Sequence, residues 1–183
     1  MLARSLTIGL LATLALPLPA DPAPYFTLES TGALSLAVNS AEARFGLMRD
    51  PSKGRSILDL SLGAERDGVA LLLFTYADEP LRPGRYPVAS SLPEQPFAGR
   101  RFHPCFVAGT VARPRGFFHG ETGWVTITAV EAVRISGTYE MRARGFLASD
   151  TTDVEQWVTI RGTFGADGDS TITSAWAVSA AVR

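Results

Sequence analysis

From Val133 to Arg144 the chain alternates without a break. Val133, Ile135, Gly137, Tyr139, Met141 and Ala143 share one parity, and Arg134, Ser136, Thr138, Glu140, Arg142 and Arg144 the other. A period of two sends one set into a core and wets the other, so it predicts a half-buried strand; a helix would scatter the polar set around its circumference. The preceding Trp124–Val130 is rich in β-branched and aromatic types, with Gly120 and Gly123 bracketing its start. It predicts an antiparallel neighbour joined through the short Glu131–Ala132 connection. A third strand is expected over Val154–Phe164, then a turn at Asp167–Gly168 and a last strand over Ser170–Ala180.

The N-terminal half repeats the rhythm. Phe26 and Leu28, then Leu34, Leu36 and Val38, then Leu58, Leu60 and Leu62 alternate with smaller or polar residues. Asp67–Gly68 is a tight-turn signal. It leads into Val69–Tyr76, whose continuous apolar run predicts a strand covered on both faces. Arg85–Val88 follows a Pro- and Gly-marked turn, and Arg101–Thr110 contains Pro104, an edge or bulge marker. No long stretch after the first 20 residues has helical periodicity; turns are expected near Ser40–Arg44 and Pro93–Ala98.

One pattern recurs: Ile135-Ser136-Gly137-Thr138-Tyr139 matches Ile160-Arg161-Gly162-Thr163-Phe164, and Gly84-Arg85-Tyr86 is a shorter echo. A glycine inside a strand marks a bend or close approach, and a ring on a neighbouring strand can cover it. The repeat is therefore expected to curve the sheet. Roughly eight to ten short strands at regular spacing predict an all-β fold, an antiparallel β-sandwich or a flattened β-barrel in a single domain.

The first residues follow a different rule. Arg4 precedes an apolar run from Leu6 to Leu16, which Pro17, Pro19 and Ala20 end before the polar Asp21. That is the layout of a signal peptide, and the run falls short of the roughly 20 residues a membrane-spanning helix needs. The expected organisation is a signal peptide over 1–20 and an all-β domain over 21–183, exported to the periplasm or medium, with no transmembrane segment after cleavage. Leu18 occupies a place where a small residue is preferred, which leaves the cleavage site open.

Composition narrows the partners. The net charge of −1 carries no basic excess, which argues against nucleic acid. Lys53 is the only lysine, so positive charge is almost entirely arginine. Cys105 is the only cysteine; it cannot form an intramolecular disulfide and is expected to be buried between its apolar neighbours. There is no phosphate-cradling loop and no dinucleotide fingerprint, so no cofactor is expected.

The stretch Gly123-Trp124-Val125-Thr126-Ile127-Thr128, followed by Ile135-Ser136-Gly137-Thr138-Tyr139, resembles the C-terminal pattern of exported β-rich bacterial proteins of unknown function. Many of those are lipoproteins, and this chain lacks their lipidated cysteine. The likeness covers about residues 80 to 165 and implies an all-β exported domain. It brings no established activity and no catalytic residues.

Two constellations carry candidate chemistry. His103 and Cys105 share one strand parity, and His119 and Glu121 another, so neighbouring strands would gather four zinc-type ligands. A thiolate–imidazolium pair of Cys105 and His119 is the corresponding nucleophile, though no third orienting residue is identifiable. The second is the acid-free segment from Arg100 to His119, where Arg100, Arg101, Arg113 and Arg115 interleave with Phe102, Phe106, Phe117 and Phe118. Arginine with aromatics suits an anionic group, and the candidate ligand set is Arg100, Arg101, Arg113, Arg115, Phe117 and Phe118. Asp59, Glu121 and Glu140 are conceivable paired carboxylates. Asp167 and Asp169, and separately Asp150, Asp153 and Glu155, offer oxygens to calcium but fit turn chemistry better.

These residues define an exported non-catalytic β-domain, a binding or envelope-associated module, as the first expectation. A barrel binding a small apolar or anionic ligand through the Arg100–His119 segment is the second. A metal-dependent or thiol enzyme centred on His103, Cys105, His119 and Glu121 is the third.

Overall fold

The computed structural model describes residues 23–49, 54–77, 79–90, 100–110, 112–152 and 154–172. Ten strands make the fold: β1 (Tyr25–Gly32), β2 (Leu36–Ser40), β3 (Ala43–Arg49), β4 (Ser56–Leu62), β5 (Val69–Tyr76), β6 (Gly84–Pro87), β7 (His103–Gly109), β8 (Pro114–Val130), β9 (Arg134–Leu147) and β10 (Gln156–Gly168). A single 3-10 turn, Glu65–Asp67, precedes β5. The expected leader over 1–20 and the expected turn near Pro93–Ala98 lie outside the described residues. The expected last strand is not formed where it can be seen: residues 170–172 begin a helical turn, and the rest of Ser170–Ala180 lies outside the described residues.

All ten strands belong to one sheet, antiparallel throughout except where β10 meets β3. From β10 the pairing runs through β3, β4, β5, β7, β8 and β9 and returns to β10, a closed circuit. Closure is the flattened-barrel alternative, and it removes most exposed edges. The hairpin β1–β2 extends from the side of β10, and β6 from the side of β8. Only the short β2 and β6 end a row, as edges are normally managed.

Two long strands change partners to make this possible. β8 pairs with β7 as far as His119 opposite Cys105, bulges between Gly120 and Thr122, and then pairs with β6 from Trp124 to Ile127. Pro104 stands where β7 leaves β8; it has no N–H to continue the ladder, and its ring occupies the space a side chain at Gly120 would need. Pro104 marks neither an edge nor a bulge of its own strand: β7 is an inner strand held by β5 and β8, in regular register with β5 through Pro104, and the nearby bulge at Gly120–Thr122 belongs to the pairing of β8 with β9. Gly120 and Gly123 lie within β8 and do not bracket its start, because β8 begins at Pro114. β10 likewise pairs with β1 up to Gly165 and with β3 at Asp167 and Gly168. The turn expected at Asp167–Gly168 is therefore the end of a strand.

The repeat explains the register. Gly162 pairs with Tyr139, Thr163 with Thr138, and Phe164 with Gly137, so each copy lays its ring over the other copy's glycine. Tyr139 also donates its hydroxyl to the Thr27 carbonyl at 2.7 Å, tying β9 to β1 across β10. Inside the circuit Phe26, Phe102, Phe106, Phe118 and Phe164 are fully buried with the leucines of β4 and β5 in one continuous core. Each such phenylalanine contributes roughly 1.5–3 kcal/mol of burial free energy. Leu71 and Leu73 of β5 are fully buried inside, while its outward Leu72 and Phe74 are half-buried, so cover on both faces is complete only on the inner one.

Candidate functional site

The arginine–phenylalanine set does not form one site. Arg100 braces the loop before β6, donating from Nη1 to the Pro80 carbonyl at 2.8 Å and from Nη2 to Glu79 at 2.9 Å. Arg101 is exposed near it, whereas Arg113 and Arg115 sit at the far end of β7, about 20 Å away at the rise of an extended strand. Phe118 faces the core against Phe106, with ring centroids 5.9 Å apart, so it cannot meet a surface ligand. Phe117 has the opposite parity and is 43% exposed, edge-on to His119 at 4.7 Å. A linear run had merged two strand faces and two strand ends.

The histidine–cysteine set does share one outer face. Cys105 and His119 are direct partners on β7 and β8, with His103 one step along β7 and Glu121 in the β8 bulge. His103 Nδ1 lies 2.9 Å from the Ser90 carbonyl, and Glu121 meets Arg144 at 3.3 Å and the Ser90 hydroxyl at 3.4 Å. Among the described residues no three His, Cys, Asp or Glu side chains are placed to hold one metal ion. Burial pushes the Cys105 thiol up to about 11, the wrong direction for a nucleophile that must be a thiolate. Burial also lowers His103 below its ordinary value.

The acids serve local structure. Asp150 accepts from the Thr152 N–H at 2.9 Å, and Asp169 from the Thr171 N–H at 2.8 Å. Asp167 takes a bidentate pair of bonds from Arg134 at 2.6 and 2.9 Å. Asp153 lies outside the described residues. Asp59 is on the outer side of β4 and Glu140 on the outer side of β9, in different parts of the circuit, so they are no catalytic pair.

A concavity lies elsewhere, on the outer face of the row β2-β1-β10-β9-β8-β6. It is an open groove of about 530 Å³. Strand register builds it in two ranks. Asn39, Thr27, Thr163, Thr138, Thr126 and Arg85 follow one another across the six strands, and beside them run Ala37, Glu29, Arg161, Glu140 and Trp124. At the roughly 4.8 Å spacing of paired strands, the first rank spans about 24 Å.

Its polar groups divide into spent and available ones. Arg161 donates from Nε and Nη2 to Glu29 at 2.8 and 2.6 Å, and that carboxylate raises the guanidinium further above its ordinary value. Thr27 Oγ1 accepts from the Thr163 N–H at 2.9 Å and lies 2.9 Å from Thr163 Oγ1. Among the described residues, Asn39, Thr126 and Thr138 have no side-chain hydrogen bond within the protein. Trp124 is 40% exposed, with the Arg85 guanidinium 4.1 Å from its ring centre. Groove size is in the range of small-molecule sites.

Sequence reasoning treated these outward residues as a solvated face. The signal was inside the repeat: both copies carry a threonine between glycine and ring, at Thr138 and Thr163, and antiparallel pairing of the copies brings those threonines side by side.

Comparison of the chain with known proteins found no matching family model, no matching curated protein and no matching solved structure. Among the described residues, no helix is long and apolar enough to cross a membrane.

Proposed function

We propose that this protein is an exported, non-catalytic β-domain that binds its ligand on the outer face of the β2-β1-β10-β9-β8-β6 row. The observation that carries the reading is the groove itself, a register-built rank of hydroxyl and amide groups whose Asn39, Thr126 and Thr138 members make no side-chain hydrogen bond among the described residues. A ligand inside the barrel is less well supported, because the core phenylalanines and leucines fill that space. Export is supported by the Arg4, Leu6–Leu16 and Pro17–Ala20 pattern.

Hydrogen exchange of the mature chain, with and without a cell-envelope extract, tests the binding face. Protection is expected on the groove strands around Thr27, Thr126, Thr138 and Thr163, and Thr138→Trp, which fills the groove from an exposed position, should abolish it. Protection confined to β4, β5 and β7, or none at all, overturns the assignment. Export predicts recovery outside the cytosol with a new N-terminus near Asp21; a cytosolic product retaining Met1 contradicts it.

A further inference from the structure

We infer that the ligand class of this groove is a neutral, hydroxyl-rich chain, a glycan laid across the strands. The inference rests on the binding face proposed above and goes further by naming its chemistry. Three observations point the same way. First, the rank Thr27, Thr163, Thr138 and Thr126 runs at the repeat of adjacent strands with the Asn39 amide at one end; Thr138, Thr126 and Asn39 make no side-chain hydrogen bond among the described residues and can donate and accept, while the Thr27 and Thr163 hydroxyls are bonded to each other. A ligand that itself carries alternating donors and acceptors along its length matches such a row; an acyl chain would leave it unsatisfied.

Second, the charges of the groove cancel. Glu29 and Glu140 stand against Arg85 and Arg161, and Arg161 is already committed to Glu29 by two hydrogen bonds. The Arg85 guanidinium lies over the Trp124 ring. An anionic ligand would have to displace Glu29 from Arg161 or face Glu140, and a cationic one would face Arg85. Third, Trp124 is 40% exposed at one end of the second rank, and although Arg85 lies over one face of its indole, what remains exposed is apolar surface suited to the C–H face of a pyranose. The groove is open and runs across the strands, so a chain can lie through it with both ends in solvent.

Isothermal titration of the mature chain with neutral hexasaccharides of glucose, mannose, xylose and N-acetylglucosamine, and with an oligogalacturonate, tests the class. Binding of at least one neutral hexasaccharide is expected. Thr138→Val, which keeps shape and β-propensity but removes one hydroxyl, should weaken it roughly two- to tenfold. Trp124→Ala should weaken it more, with the thermal midpoint of Thr138→Val unchanged as the control for folding. If only the oligogalacturonate binds and Thr138→Val weakens it, the neutral class is wrong and the binding face stands. If no saccharide binds, or binding ignores Thr138→Val and Trp124→Ala alike, the glycan inference is overturned; the extract experiment then decides separately whether the face binds at all.

Discussion

Tyr139 and Gly162 are antiparallel partners on β9 and β10, and the phenol crosses the bare α-carbon of the glycine to reach the Thr27 carbonyl on β1. That one contact ties three strands of the groove floor. Burial raises the phenol above its ordinary value, so it stays protonated and remains the donor. Tyr139→Phe keeps the ring and removes the hydrogen bond, leaving the carbonyl without it. The expected cost is about 1–3 kcal/mol in chemical denaturation, with an unchanged slope. Gly162→Ala is expected to be worse, because its Cβ would strike the Thr27 carbonyl, a backbone atom that cannot swing aside. A Gly162→Ala variant as stable as the parent would show that the ring-over-glycine register is wrong.

Closure of the circuit depends on the two-residue parallel pairing of β10 with β3, and the Arg134–Asp167 pair sits at that place. The Arg134 side chain is 8% exposed and Asp167 receives two of its N–H groups, at 2.6 and 2.9 Å. Removing the carboxylate leaves a buried cation short of its best acceptor. Asp167→Ala should cost roughly 1.5–3 kcal/mol, the range for hydrogen bonds to charged groups, and should speed amide exchange in β3. Unaltered exchange in β3 would show that the pair does not hold the closure.

His103 and Asp59 predict opposite pH effects. Burial is the main cause in both, lowering His103 below 6.5 and raising Asp59 above 3.8. For His103 the unfolded chain takes up its proton first on acidification, so stability is full above 6.5 and falls as pH drops toward the folded value. For Asp59 the folded chain holds its proton to higher pH, so stability falls as pH rises from 3.8 through the folded value. One Asp59 oxygen is buried without a partner among the described residues, and the other accepts from Ser61 at 3.0 Å. Denaturation at about pH 7.5 and about pH 5 should show a loss for the parent that His103→Gln reduces. Asp59→Asn should be neutral or stabilising at pH 7 and without effect below 3.8.

Cys105 should behave as an inert, half-buried thiol. With its ionisation pushed up to about 11, alkylation of the native chain at neutral pH should be far slower than that of the unfolded chain, and should accelerate toward that value. Rapid native labelling would restore the thiol-nucleophile reading.

Most strands were legible from their parity, but β3 (Ala43–Arg49) was not expected, and at the start of β9 Arg134 is buried while Val133 is 44% exposed, the reverse of the expected order. Leu58, Leu60 and Leu62 point inward as expected, and the Gly137–Tyr139 and Gly162–Phe164 copies cover one another's glycines. What escaped is what pairing alone decides. Nothing within β8 announces that it will leave β7 for β6, or that β10 will run through Asp167 to meet β3, since partner choice is settled by contacts far along the chain. The groove was missed for the same reason. Arg100 to His119 looked coherent as a string, yet parity separates Phe117 from Phe118 and strand length separates Arg100 from Arg113. Thr126, Thr138, Thr163 and Thr27 are scattered over nearly the whole chain, and only register lines them up.

Backbone amide chemical-shift mapping of the isotopically labelled chain from Asp21 onward, titrated with the neutral hexasaccharides, tests the placement of the proposed binding face most directly. The largest shifts are expected at Thr27, Thr126, Thr138 and Thr163 and at the Trp124 indole. Shifts clustered instead at Arg113, Arg115 and Phe117 would contradict it and return the site to the β7–β8 end.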